Sequence, residues 1–150
     1  MKASLTDWGL LVLRIGLGLV MLFYGCQKMF GLFHGPGFGG ILSFFQTKMG
    51  IPPLFGVLAI FAEFFGSLGV LVGLLTRWAA FGLMCTLAVA TYFNAQGGAL
   101  GNIFATGNPA DASKVLFTFV LMMMAAALLL TGPGALSLDA RVFKPKAGKK

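Results

Sequence analysis

Acidic residues are nearly missing: the chain has four Asp and Glu among 150 residues, against eleven Lys and Arg and a single His. Charged residues of both signs make up only 10% of it. An average soluble domain holds about 25%, so such a surface would not keep a globule in water. One histidine and two cysteines leave no ligand cluster for a structural metal, and no metal site is expected. No nucleotide loop, no Ser-His-Asp set and no paired intramembrane carboxylates are present, which excludes a self-sufficient hydrolase or ATPase. The short alternating segments of a β-barrel are missing too. A cleaved signal peptide is excluded because the first apolar run is too long, contains Arg14 and lacks a small-x-small site. Bulky Phe23 and Tyr24 argue against lipoprotein cleavage before Cys26.

What remains is apolar. Hydrophobic residues form 58% of the chain, concentrated in runs at 8–33, 54–75, 78–93 and 115–131. A membrane-crossing helix needs roughly 20 such residues. With their flanks, the runs predict helices at about 8–33, 53–75, 77–96 and 109–132. The expected fold is all-α: one polytopic four-transmembrane-helix bundle occupying residues 1–150, with a basic tail at 139–150.

The net charge of +7 is distributed in a way that orients the bundle. Arg141, Lys144, Lys146, Lys149 and Lys150 crowd the C-terminal tail, Lys2 lies at the N-terminus and Arg77 in a short turn. Four helices put these on one side and Lys28, Lys48 and Lys114 on the other, so both termini are expected in the cytoplasm. The tail is suited to anionic lipid headgroups, and a nucleic-acid partner is not expected.

Local signals refine the outline. Asp7 is a candidate N-cap, with Trp8 an interfacial anchor. Residues 39–50 form an amphipathic segment, read either as a helix lying in the interface or as a loop folded over the bundle. Pro52-Pro53 opens the second helix, and the turn at Thr76-Arg77 makes helices two and three antiparallel neighbours. A Gly-rich loop at 96–107 precedes Asn108-Pro109, which reads as a helix start, and Gly132-Pro133-Gly134 ends the fourth helix.

Polar residues inside a span are costly and need partners. Arg14 lies about 10 Å above Asp7 along the helix, Glu63 about 21 Å above Arg77, and Gln27 and Lys28 about 30 Å up. Lys28 can thus bend inward to Glu63 while Arg14 snorkels toward the cytoplasmic interface. Arg14, Gly18, Met21, Gly25 and Lys28 share one stripe; Glu63, Ser67, Val70 and Leu74 share another. The two helices are expected to meet along this seam of Arg14, Gln27, Lys28, Glu63 and Ser67, aided by Gly18, Gly25, Gly66, Gly69 and Gly73. Glu63 reads either as a structural group, ion-paired or a protonated, hydrogen-bonded carboxylic acid that holds the bundle together, or as a site for proton handling or a quinone headgroup. Tyr24, Tyr92, Asn94 and Gln96 are a candidate headgroup or partner site, although polar helix ends need no such purpose. Cys26 and Cys85 differ by about 15 Å in depth, beyond disulfide reach. His34 lacks companion ligands, and Met122, Met123 and Met124 point about 100° apart, so packing suits them better than copper.

Three ordered motifs carry a resemblance. Leu13-Arg14 leading into Gly16-Leu17-Gly18, then Tyr24-Gly25-Cys26-Gln27-Lys28 with Gly31, is similar to the first helix of the DoxX family. Glu63 with Gly66 and Gly69, then Gly73-Leu74-Leu75-Thr76-Arg77, resembles its second helix and turn. Gly132-Pro133-Gly134 followed by Leu136-Ser137-Leu138-Asp139 resembles its closing motif. Asn94 departs from a frequent histidine, and Lys114 from a frequent acidic residue. The resemblance implies a four-helix protein of the bacterial inner membrane. Its relatives include a subunit of thiosulfate:quinone oxidoreductase and components of oxidative-stress systems. The expected role is therefore a membrane subunit of a redox complex, with quinone as the cofactor to seek and a protein partner or second copy beside it. A non-enzymatic scaffold and an oligomeric transporter are the alternatives.

Overall fold

A computed structural model describes residues 3–96 and 109–142, and every regular element among them is helical. In chain order these are α1 (Leu5–Phe30), a 3-10 turn (Leu32–His34), α2 (Gly37–Met49), α3 (Pro53–Val72), α4 (Thr76–Asn94), α5 (Pro109–Thr131) and α6 (Leu138–Val142). Residues 97–108, which carry the expected Gly-rich loop and the Asn108 helix start, and residues 143–150 of the expected basic tail lie outside the described residues.

Among the described residues, three helices are long and apolar enough to cross a membrane: Leu5–Phe30, Pro53–Val72 and the Ala112–Thr131 part of α5. Their outer faces carry exposed Leu19, Phe65 and Leu130 with no polar cover, so lipid is their solvent. α3 packs between α1 and α4, and α4 packs in turn against α5. The core joins Leu17 and Met21 of α1, Val70 of α3, Leu83 and Leu87 of α4, and Leu121, Ala125 and Leu128 of α5.

The helix ends differ from the sequence expectation for local reasons. α1 begins earlier because Ser4, not Asp7, is its N-cap. Ser4 Oγ accepts from the Asp7 N–H while the Asp7 carboxylate accepts from the Ser4 N–H, a reciprocal capping box. α1 stops at Phe30 and α3 at Val72 because Gly31 and Gly73 follow in the left-handed region, at φ of 70° and 71°. Leu74 thereby leaves the α3 stripe and is exposed. The amphipathic segment is a helix, and it docks on α1 and α3. A Cβ on Gly56 would stand 2.8 Å from Leu42 Cδ1, so this glycine lets α2 lie close over α3.

Candidate functional site

The α1–α3 seam forms where backbones touch. A Cβ on Gly25 would stand 2.9 Å from the Phe64 Cα, and one on Gly18 would overlap Leu71 Cγ. Gly66 and Gly69 do not belong to this seam: they face Leu83 and Ala79 of α4. Small residues thus line both sides of α3, which lets one helix approach two neighbours.

The close approach at Gly25 sets the next helical turn of α1 beside Glu63. Lys28 Nζ lies 2.6 Å from both carboxylate oxygens, and the hydrogen-bond angles are satisfied at Oε1 alone. Glu63 Oε2 is buried, and it meets the ammonium as an ion-pair contact without hydrogen-bond geometry. The pair is asymmetrically placed: the Glu63 side chain is 7% exposed and that of Lys28 22%. The ammonium also stands 6.0 Å from the centre of the Phe45 ring of α2, within cation–π range.

Lys28 and Glu63 share a cavity of about 700 Å³ between α2, α3 and α4. Its walls are apolar, with Phe45 and Met49 from α2 and Phe55 from α3, and Thr86 and Asn94 add polar groups from α4. Cys85 also reaches it and is a free thiol. Gly82, Thr86, Ala90 and Asn94 recur at every fourth position, a small and polar stripe that was readable in sequence as the α4 wall.

The other expected residues divide among separate places. Ser67 is fully buried, but its hydroxyl donates within its own helix to the Phe64 carbonyl. Gln27 makes a long contact of 3.5 Å to the Phe33 carbonyl. Tyr92 and Gln96 pair at 2.6 Å at the end of α4. Tyr24 joins neither group: its ring meets Phe23 and Phe117 and is absent from the cavity wall.

Arg14 does not snorkel. It is 1% exposed, and its guanidinium donates to the carbonyls of Val70, Leu71, Pro133 and Leu136 at 2.9–3.1 Å. Two of these acceptors are last-turn carbonyls of α3, which have no partner within the helix. The rigid fork of five donors suits this task. Arg14 therefore binds the end of α3 to the 133–136 segment, roughly 21 Å along α1 from Lys28. Asp7 adds a second tie, its Oδ1 accepting from the Ala135 N–H at 2.7 Å. Asp139, unassigned by sequence reasoning, closes the same end on α4.

This architecture can be set beside known proteins. A family model described as DoxX matches residues 9–96, from α1 through the end of α4. The chain is also similar to the inner membrane protein YqjF of Escherichia coli (strain K12), 33% identical over 139 residues, covering 91% of this chain and 93% of that protein. No solved structure matches. The three apolar helices and this relative place the chain in the bacterial inner membrane as a multi-pass protein. By the extent of both matches, the chain belongs to the DoxX family.

Proposed function

We propose that this DoxX protein is a four-span membrane subunit, with both termini cytoplasmic, that holds the head of a membrane-dissolved quinone for a redox partner. α4 is the fourth span in this reading. Its 19 residues reach about 28 Å, close to the hydrocarbon thickness, and it is packed between α3 and α5. The basic residues at Arg77 and Arg141 then share the cytoplasmic side, which puts the Lys28–Glu63 groove near the opposite surface.

One observation carries the functional reading: an apolar groove, wide enough for a ring and part of a tail, has a buried ion pair in its wall. A site of this kind holds an apolar body and orients it by a few polar groups. Lys28 donates to a carbonyl oxygen in this proposal, and Asn94 lies on the α4 side of the same space. A transport path along the seam is less well supported, because backbone contact at Gly25 and Gly18 leaves no room there.

The scaffold alternative draws on a different observation, the closed pairing of Lys28 with Glu63 and the complete use of Arg14 by backbone carbonyls. Purification from membranes in mild detergent separates the two. The proposal expects retained quinone in solvent extracts together with a co-purifying redox protein. A partner without quinone overturns the proposal in favour of the scaffold, and recovery of no quinone and no partner overturns it outright.

A further inference from the structure

The groove presents an asymmetry of hydrogen-bonding capacity. The Glu63 carboxylate, in a residue 5% exposed that lines the cavity, takes its one hydrogen bond from Lys28 at Oε1 and meets the same ammonium at Oε2 only as an ion-pair contact, so Oε2 keeps unused acceptor capacity. A carboxylate accepts more than one donor, and a ligand that supplies a second one adds a charge-assisted hydrogen bond. The last torsion of a glutamate side chain is soft, so the carboxylate can turn either oxygen toward the groove while Lys28 stays at the other.

Charge narrows the occupant. The ammonium and carboxylate lie 2.6 Å apart and sum to no net charge, so the pair favours neither an anionic nor a cationic head overall. A phosphate would meet the Glu63 carboxylate, and a second ammonium would meet Lys28. The walls around the pair are apolar, from Phe45, Met49 and Phe55. The complementary ligand is therefore a neutral amphiphile whose head brings a hydroxyl donor, with an acceptor for the remaining Lys28 N–H groups.

We infer that the Lys28–Glu63 groove selects a hydroxyl-bearing head, and so, resting on the quinone reading above, binds the reduced hydroquinone in preference to the oxidised quinone. The quinone ring carries only carbonyl acceptors and brings no further donor to Glu63 Oε2. The hydroquinone donates one hydroxyl to that oxygen and accepts from Lys28 with its own oxygen. No electron transfer within this chain is required; the selectivity is one of binding.

The test uses the full-length protein purified in detergent micelles and three probes: a decyl-substituted benzohydroquinone, its dimethyl ether and the matching benzoquinone. Titration calorimetry under anaerobic conditions reads each affinity. The expected result is hydroquinone binding about tenfold or more tighter than both the ether and the quinone, the scale of one hydrogen bond to a charged group. Glu63→Gln is expected to erase that preference, because its amide supplies a donor to the quinone carbonyl. Should this variant not fold, the ether comparison in the unsubstituted protein still decides the matter. Equal affinity for hydroquinone and ether overturns the inference and leaves a quinone site standing. Failure of all three probes to bind overturns the quinone reading as well.

Discussion

The carboxylate of Asp139 caps the helix that begins at Thr76, accepting from the backbone N–H of Leu75 at 2.7 Å and of Thr76 at 2.9 Å. The cap is long-range. In return, the Asp139 N–H donates to the Gly73 carbonyl at 2.8 Å, so the closing segment and the α3–α4 turn exchange bonds in both directions. No side chain beside Leu75 caps α4 locally, and Asp139 fills that gap.

Asp139→Ala leaves two N–H groups at the positive end of α4 without an acceptor. Loss of a helix cap costs about 0.5–2 kcal/mol, and two bonds put this case near the upper value. Asp139→Asn keeps one acceptor and is expected to lose about half as much. Thr76→Val is the control: the Thr76 hydroxyl is buried without a partner, so its removal should leave stability unchanged or raise it. Thermal unfolding followed by size-exclusion chromatography in detergent reads all three. An Asp139→Ala protein as stable as the parent contradicts the cap.

Arg14→Lys tests geometry at constant charge. An ammonium offers three donors from one atom and cannot reach four carbonyls spread across two segments. A loss of about 2 kcal/mol or more is expected, since each stranded buried carbonyl costs about 1–3 kcal/mol. Limited proteolysis should then open the 133–136 segment first. If the Lys variant protects that segment as well as the parent does, the guanidinium is not the clamp.

Much of this arrangement is legible in the sequence. The long apolar runs locate α1 and α3, and helical rise, which converts residue number into height, brings Lys28 within a bent side chain's reach of Glu63. Arg14 was misread for an identifiable reason. Its depth fitted snorkelling, whereas its acceptors come from segments 56 to 122 residues away that converge only in the fold. The Ser4 cap was missed because Asp7 is an equally good cap by type, and only the reciprocal box decides between them. The assignment of Gly66 and Gly69 to the wrong neighbour has a similar origin: a small-residue stripe shows that helices approach closely, but not which helix approaches. The groove itself depends on α2 docking over Gly56, a tertiary fact without a local signature.

Glycine substitutions along α1 separate contact from composition. Gly25→Ala forces a Cβ to 2.9 Å from the Phe64 backbone, which cannot swing aside as a side chain could. Overpacking of this kind costs about 1–3 kcal/mol. Gly16→Ala meets only Met124 Cε at 3.8 Å, and Gly9→Ala meets nothing within 4 Å. Those two should match the parent in unfolding temperature, or exceed it slightly by gain of helix propensity. A uniform response at all three positions contradicts the seam.

A double-mutant cycle on Lys28 and Glu63 asks whether the pair is coupled in the folded protein. Breaking a buried ion pair from one side strands a charge and costs about 3–5 kcal/mol. The 22% exposure of Lys28 lets its ammonium find water, which places the cost of Glu63→Leu below that of Lys28→Met. Replacing both, as Lys28→Met with Glu63→Leu, removes two desolvated groups together and should destabilise less than Lys28→Met alone. All variants should still insert, since apolar length and flanking charge direct insertion, not this pair. Chemical unfolding in mixed micelles gives the three differences. Additive losses, with the double variant weakest of all, mean that the 2.6 Å contact contributes no coupling. A double variant that recovers stability but no longer retains quinone assigns the pair to ligand binding, not to holding the helices together.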